Sequence, residues 1–239
     1  MKISRRKAIA ISGSTLAGLS LGGLKPEVLA AGYPQQDDWP DGLAERPLRE
    51  GFPAPLPLNP DGSAPEHAES EAGPITGRLM WRTPDREAPE IEFDYRQMAI
   101  RVDTRRMARL YGTLRFSDLE QLPRVSKTFL MQCGAPEPTG VVKWAGVRFS
   151  DFVDSLGLLP SVHYCRIMGS DGRYADESVE ALRHPQVMLA WMMNDEPIPP
   201  RHGAPLRLIV PFRYGARSIK AITEITFSTP SLPNPPQPG

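Results

Sequence analysis

Thr128-Phe129-Leu130-Met131-Gln132-Cys133-Gly134-Ala135-Pro136 is the stretch that decides the fold, because an apolar run stops there at a single cysteine before a proline-containing loop. The run 126–132 predicts a buried strand that presents Cys133 at its end. A second stretch, 201–220, places Arg207 at the centre of an apolar alternation that predicts another strand. An arginine in such a position is unfavourable unless it meets an anion or a carboxylate. The two stretches together predict one functional site.

Composition limits the class of protein. The chain has 239 residues, of which 40% are hydrophobic, which is enough for one domain with a substantial core. Lysine plus arginine equals aspartate plus glutamate at 28 each, so the basic excess of a nucleic-acid-binding protein is lacking. After residue 30, no segment approaches the roughly 18 consecutive apolar residues that span a membrane.

Residues 1–30 have the layout of an export signal. Arg5-Arg6 precedes a glycine-diluted apolar run, and Val28-Leu29-Ala30 supplies small residues for a signal peptidase. This pattern predicts a twin-arginine signal peptide, cleavage after Ala30 or Ala31, and a periplasmic protein. Removal of residues 1–30 leaves 23 positive and 27 negative side chains, so the mature chain is mildly acidic. An uncleaved anchor is the alternative. Twin-arginine export transports folded proteins, which also indicates a cofactor bound before export.

The rest of the chain divides by proline content and periodicity. Residues 31–74 predict a proline-rich extended arm, residues 75–228 a compact domain, and residues 229–239 a proline-rich tail. Within the domain, short strands alternate with a few short helices, which predicts a mixed α+β fold rather than a doubly wound sheet. The predicted strands are 98–102, 126–132, 163–168, 187–193, 206–210 and 221–227. One helix is predicted from Ser117, and another begins with Ser150 as N-cap and stops at Gly157.

Four motifs in order resemble the sulfite oxidase-type molybdopterin oxidoreductases: Gln132-Cys133, residues 144–147 (WAGV), residues 170–174 (SDGRY), and the stretch from His202 to Lys220. The resemblance covers about 78–227. It implies an α+β fold with mixed sheets and short helices, and a molybdenum-molybdopterin cofactor. The chain looks most like the short bacterial branch, which lacks a carboxyl-terminal dimerisation domain and includes a methionine sulfoxide reductase; this implies a monomer.

The resemblance also implies roles for individual residues. Cys133 would bind molybdenum, and Arg82 and Trp144 would join it as catalytic residues. The residues implied to bind the cofactor are His202, Arg207, Arg217, Ser218, Ile219 and Lys220.

The chemistry of the residues is compatible with these roles. A soft thiolate suits a metal already held by dithiolene sulfurs, and an arginine fork binds phosphate bidentately. Other interpretations remain open: a Cys133–Cys165 disulfide, an internal salt bridge for Arg207, and a purely structural Trp144.

The predicted activity is oxygen-atom transfer to or from a small substrate, either a sulfite-like oxyanion or a sulfoxide. The cysteine is followed by Gly134-Ala135-Pro136 rather than the Ala-Gly-Asn-like run usual in sulfite oxidases, which leaves the choice of substrate open. The sequence has neither a Cys-x-x-Cys-His haem motif nor a Gly-x-Gly-x-x-Gly loop, so a separate cytochrome or membrane subunit is the expected electron partner. The alternative function is a non-catalytic exported anion-binding domain with a Cys133–Cys165 disulfide.

Overall fold

A computed structural model describes residues 42, 55–77, 81, 83–133 and 138–233. The signal peptide, most of the first half of the arm, Arg82 and residues 134–137 lie outside these ranges. Apart from Gly42, the described residues belong to one compact unit, Arg49–Gly239. The described part of this unit contains ten strands: β1 Ile100–Asp103, β2 Gly112–Leu114, β3 Arg124–Gln132, β4 Thr139–Arg148, β5 Tyr164–Gly169, β6 Tyr174–Ser178, β7 Met188–Met193, β8 Glu196–Pro197, β9 Arg207–Ile209 and β10 Ile222–Ser228.

The strands form two sheets. The first has the order β2-β1-β10-β5-β6, in which only β1 and β10 run parallel. The second has the order β3-β4-β7-β8, and β9 also pairs with β7. The described pairs of the second sheet are all antiparallel. The mixed α+β fold predicted from the sequence is confirmed.

The described ranges also contain three short α-helices: α1 Phe116–Leu119, α2 Phe149–Leu156 and α3 Val179–Leu182. Helix α2 forms because apolar residues recur at helical spacing; Phe149, Phe152, Val153 and Leu156 are all buried. Each such side chain stabilises the fold by roughly 2 kcal/mol through burial. The helix ends at Gly157, whose φ of 63° is a left-handed conformation that glycine adopts without strain. No helix in the described ranges has both the length and the apolarity needed to cross a membrane.

Several predicted boundaries were wrong. Helix α2 has Arg148 as its N-cap instead of Ser150. Helix α1 starts before Ser117, because the Asp118 carboxylate accepts a hydrogen bond from the Arg115 amide at 2.8 Å and fixes the first turn. The strand predicted at 187–193 is confirmed as β7.

The last part of the arm, residues 64–74, packs against the second sheet. Glu66 forms a bridge with Phe129 on the outer side of β3, and Thr76 forms one with Thr139 at the start of β4. Ala64 is buried in the core of this sheet, and Gln186 hydrogen-bonds both its amide and its carbonyl at 2.9 and 2.7 Å. The end of the arm is therefore part of the folded unit.

An ion pair joins the tail to the first sheet. Arg166 on β5 is 7% exposed and donates to both carboxylate oxygens of Asp176 at 2.6 Å. It also donates to the carbonyls of Pro233 at 2.7 Å and Leu232 at 3.3 Å. This arginine thus finds its anion within the protein and fastens the start of the tail.

Candidate active site

Cys133 lies immediately after β3, where the strand stops. Its amide donates to the Pro138 carbonyl at 3.0 Å, which closes the connection between β3 and β4. The thiol is partly exposed and free. The turn at Gly215–Arg217 packs against this strand end, because a Cβ on Gly215 would lie 3.3 Å from the sulfur of Met131 and 3.4 Å from the carbonyl oxygen of Gln132. Glycine therefore allows this turn to lie close to the cysteine.

Arg207 and Trp144 form the buried wall of the site. Trp144 on β4 and Arg207 on β9 flank β7, and the guanidinium carbon lies 5.1 Å from the centroid of the indole ring. Trp144 is fully buried and Arg207 is 3% exposed. The arginine donates one hydrogen bond, to the His202 carbonyl at 2.8 Å. Among the described residues, no carboxylate lies within ion-pair distance of it.

The segment 218–222 places Lys220 beside the wall formed by Arg207 and Trp144. The amide of Leu208 donates to the Ile219 carbonyl at 2.9 Å, and the amide of Ala221 donates to the Gly203 carbonyl at 3.0 Å. Residues 203–208 and 219–221 therefore lie side by side. The Lys220 ammonium donates to the Arg201 carbonyl at 3.1 Å and lies 4.6 Å from the Trp81 ring centroid. Ser218 accepts from the Val210 amide at 3.0 Å, which fixes the loop before Lys220.

Gly203 makes this approach possible. Its φ of 106° is in the left-handed region, and a Cβ there would meet the Lys220 Cβ at 2.7 Å. A side chain at this position would therefore push the loop of His202 away from Lys220.

Burial and repulsion between cations dominate the electrostatics. Burial lowers the pKa of Arg207 to about 10; the Cys133 thiol opposes this shift and Arg173 adds to it. Burial, followed by repulsion from Arg207, lowers the pKa of Lys220 to about 7, while Asp171 and Cys133 act in the opposite direction and Arg173 in the same one. Burial also lowers the pKa of His202 to about 4, so its imidazole is neutral near pH 7. An excess of buried positive charge of this kind favours an anionic ligand.

Several buried polar atoms of the site have no hydrogen-bond partner among the described residues. They are Nε of Arg207, Nδ1 of His202, and Nε1 of Trp144 and Trp81. Most buried polar atoms in proteins are satisfied, so these atoms indicate a ligand rich in acceptors. No cluster of three histidine, cysteine or acidic side chains in the described ranges could hold a metal ion. The basic, donor-rich wall beside Cys133 fits an anionic organic group that could hold a metal together with this thiol.

Comparison with known proteins identifies the family. Residues 87–235 match the family model described as the oxidoreductase molybdopterin binding domain. The chain belongs to this family. The match covers all ten strands of the two sheets and the two stretches that form the site, which confirms the resemblance to the sulfite oxidase-type enzymes.

Individual relatives agree with this assignment. Over 92 residues the chain is 39% identical to the protein-methionine-sulfoxide reductase catalytic subunit MsrP of Xanthomonas axonopodis pv. citri, a match that covers 38% of this chain and 26% of the relative. Over 147 residues it is 28% identical to the mitochondrial sulfite oxidase of Drosophila melanogaster, covering 47% of this chain and 24% of that protein. The matched segments therefore span about a quarter of these relatives.

A solved structure shares the fold. The sulfane dehydrogenase SoxCD from Paracoccus pantotrophus superposes with a TM-score of 0.54 at 19% identity, over 87% of this chain and 60% of that one. This similarity supports the α+β fold with mixed sheets and few helices.

The structure brings together five of the residues predicted for the site: Cys133, Trp144, His202, Arg207 and Lys220. Arg82 lies outside the described residues. The Arg217 side chain instead forms an ion pair with Glu177 at 2.9 Å and donates to the Asp176 carbonyl at 3.1 Å. The Ile219 side chain is buried in the larger core, so only its backbone faces the site.

The disulfide of the alternative function is not formed, since both cysteines are free thiols. Cys165 is 1% exposed in the core formed by the first sheet. Burial raises the pKa of this thiol well above its usual range, which makes it unreactive.

Sequence reasoning assigned no role to Trp81, Asp171 or Arg173. Trp81 is 2% exposed and covers Lys220, while Asp171 and Arg173 act electrostatically on it from the turn between β5 and β6. For Asp171 and Arg173, the motif at residues 170–174 was the signal available in the sequence. Nothing in the sequence alone places that turn against residue 220.

Proposed function

We propose that this protein is an exported molybdenum enzyme that transfers an oxygen atom to or from a small sulfur-oxo substrate. The observation that supports this most directly is the buried Arg207, which has no carboxylate partner among the described residues and contacts the cysteine-bearing site. A folded protein rarely buries an arginine in this way without a ligand. A pterin phosphate supplies the missing anion.

Different residues bind different parts of the cofactor. The Cys133 thiolate is the protein ligand of the molybdenum, because a soft sulfur donor matches a metal with dithiolene ligands. Arg207 binds the phosphate through its free edge, and Lys220 adds a point charge beneath the Trp81 ring. His202 is neutral, so its ring can donate a hydrogen bond without adding another cation.

Trp144 positions the arginine. Its ring lies against the guanidinium and leaves the group few alternative orientations. The Ser218 hydroxyl, while accepting from the Val210 amide, retains a hydrogen to donate to a ligand.

Bound molybdenum supplies the two-electron redox change that oxygen-atom transfer requires. Reduction of a sulfoxide consumes two electrons and two protons and releases a thioether and water. Oxidation of sulfite takes an oxygen atom from water and returns two electrons and two protons. The names of the relatives favour these two substrate classes.

We further propose twin-arginine export of the folded holoprotein to the periplasm and electron exchange with a separate redox protein. The Arg5-Arg6 signal supports the first proposal. The second is supported by the sequence, which contains two cysteines and no haem or dinucleotide motif.

The test starts from the full chain folded in a cytoplasm that makes the cofactor. Elemental analysis should find about one molybdenum per chain, and denaturation should release a fluorescent pterin. The holoprotein is then assayed with sulfite and an artificial oxidant, and with a sulfoxide and an artificial reductant. Absence of both molybdenum and pterin would refute the cofactor assignment, whereas a loaded protein inactive in both assays would refute only the substrate class.

A further inference from the structure

The outer edge of the first sheet is open at β2. This strand ends the sheet order, and in the described part of the chain nothing pairs with its outer side. By contrast, the outer edge of β3 in the second sheet is covered by the arm at Glu66 and His67. Natural proteins usually protect an exposed edge, so an uncovered one next to specific side chains is a candidate interface.

The surface beside this edge is strongly basic. Residues 101–115 contain five arginines and one acidic residue, although the chain as a whole has no net charge. Arg101 lies 3.4 Å from Asp103 and 3.8 Å from Glu224, so its charge is balanced within the protein. Arg105 and Arg106 are exposed, and no acidic side chain in the described ranges lies within ion-pair distance of them. These two arginines are available to bind carboxylates.

Two exposed apolar side chains lie next to the arginines. Leu110 is 56% exposed and Tyr111 78% exposed. Tyr111 lines two adjoining cavities, one of about 830 Å³ and one of about 310 Å³. Tyrosine and arginine are the residue types that most often dominate binding energy in protein interfaces.

We propose that this β1–β2 surface, residues 101–113, binds an acidic segment of a partner protein. Carboxylates of the segment pair with Arg105 and Arg106, and its apolar side chains pack on Leu110 and Tyr111. The chain as a whole has 28 basic and 28 acidic residues, so it lacks the basic excess of a nucleic-acid-binding protein. The proposal does not depend on the cofactor or on the substrate class.

Binding is tested with the full-length holoprotein and a fluorescein-labelled peptide of alternating glutamate and threonine, followed by fluorescence anisotropy at about 50 mM and about 200 mM salt. Arg105→Ala/Arg106→Ala should weaken binding at least about tenfold. The control, Arg148→Ala/Arg183→Ala, removes two arginines whose side chains are 41% and 42% exposed elsewhere on the protein. It should change binding less than about twofold.

A second double variant shows whether the loss of binding in Arg105→Ala/Arg106→Ala comes from misfolding. Arg105 and Arg106 have φ values of 47° and 64°, so Arg105→Gly/Arg106→Gly removes the charges while relieving backbone strain. It should lose binding to the same extent and keep its molybdenum content. Tyr111→Ser should weaken binding several-fold.

Hydrogen exchange locates the contact. The peptide should protect amides of 104–113 and leave β6, at the opposite edge of the sheet, unchanged. Equal loss of binding in the control double variant would overturn the proposal, because binding would then depend only on net charge. Stronger protection of 104–113 by anionic phospholipid vesicles than by the peptide would also overturn it, in favour of a membrane contact.

Discussion

Arg207→Met should stabilise the cofactor-free protein while abolishing cofactor binding. Burial lowers the pKa of Arg207 from its usual range to about 10. At 1.36 kcal/mol per pKa unit, the buried charge costs roughly 3 kcal/mol near pH 7. The methionine loses a hydrogen bond to the His202 carbonyl and a contact with the Trp144 ring, each contributing about 1 kcal/mol. The free energy of unfolding should therefore rise by about 1 kcal/mol.

Arg166→Met is the matched control. Both arginines are buried, but Arg166 has a carboxylate partner, Asp176, that it binds through two 2.6 Å hydrogen bonds. Removal of one member of such a pair leaves the other unsatisfied and destabilises a protein by about 3 kcal/mol or more. Because Asp176 is 38% exposed, we expect about 2 kcal/mol.

Urea unfolding of the apo-proteins measures both effects. With a slope of about 2 kcal/mol per molar, the midpoint should rise by about 0.5 M for Arg207→Met and fall by about 1 M for Arg166→Met. Pterin content of protein folded with the cofactor should fall to background only in Arg207→Met. If the apo Arg207→Met protein were less stable than the wild type, the arginine would be a structural residue, and its proposed ligand would lose its support.

Three further changes test the rest of the site. Cys133→Ser should lose molybdenum and turnover. Its thermal unfolding midpoint should stay unchanged, because the thiol is partly exposed. If elemental analysis found molybdenum retained in this variant, Cys133 would not be the metal ligand. Burial lowers the pKa of Lys220 to about 7, so between about pH 7 and 10 the unfolded chain binds more protons than the folded apo-protein. The free energy of unfolding of the apo-protein should therefore rise with pH across this window. If Lys220→Met showed the same rise with pH as the wild type, the pH dependence would not come from Lys220. Gly203→Ala should cost about 1–3 kcal/mol in urea unfolding and lower pterin content several-fold, since its Cβ would contact Lys220. The control Gly62→Ala, at a φ of 82° with nothing within 4 Å, should cost about 1 kcal/mol and leave pterin content unchanged.

The sequence predicts the elements whose signals are local. The run ending at Cys133 is apolar and stops at a loop, and the apolar run 187–193 is bounded by turn residues, so β3 and β7 were both recognisable. Helix α2 was predicted because Gly157 gives a clear stop. The cysteine and arginine stretches, together with the family resemblance, predicted the five residues that the structure brings together: Cys133, Trp144, His202, Arg207 and Lys220.

Other features depend on contacts between distant parts of the chain. Strand β4, Thr139–Arg148, was not predicted, because its interior lies between two strands and its sequence lacks a clean alternation. The close contact of Gly146 with the Leu189 backbone explains the glycine there, and it exists only once β4 and β7 pair. Trp81 over Lys220 and the turn of Asp171 and Arg173 were missed for the same reason.

The bridge between Glu66 and Phe129 determines how far the chain can be trimmed. Residues 66–76 cover the free backbone groups of β3 and the start of β4, held by ion pairs of Glu66 with Lys127 and Glu69 with Lys143, both at 2.8 Å. A recombinant fragment that began after residue 77 would expose these strands to neighbouring molecules. Such a fragment should precipitate or self-associate at concentrations where the longer chain stays dispersed.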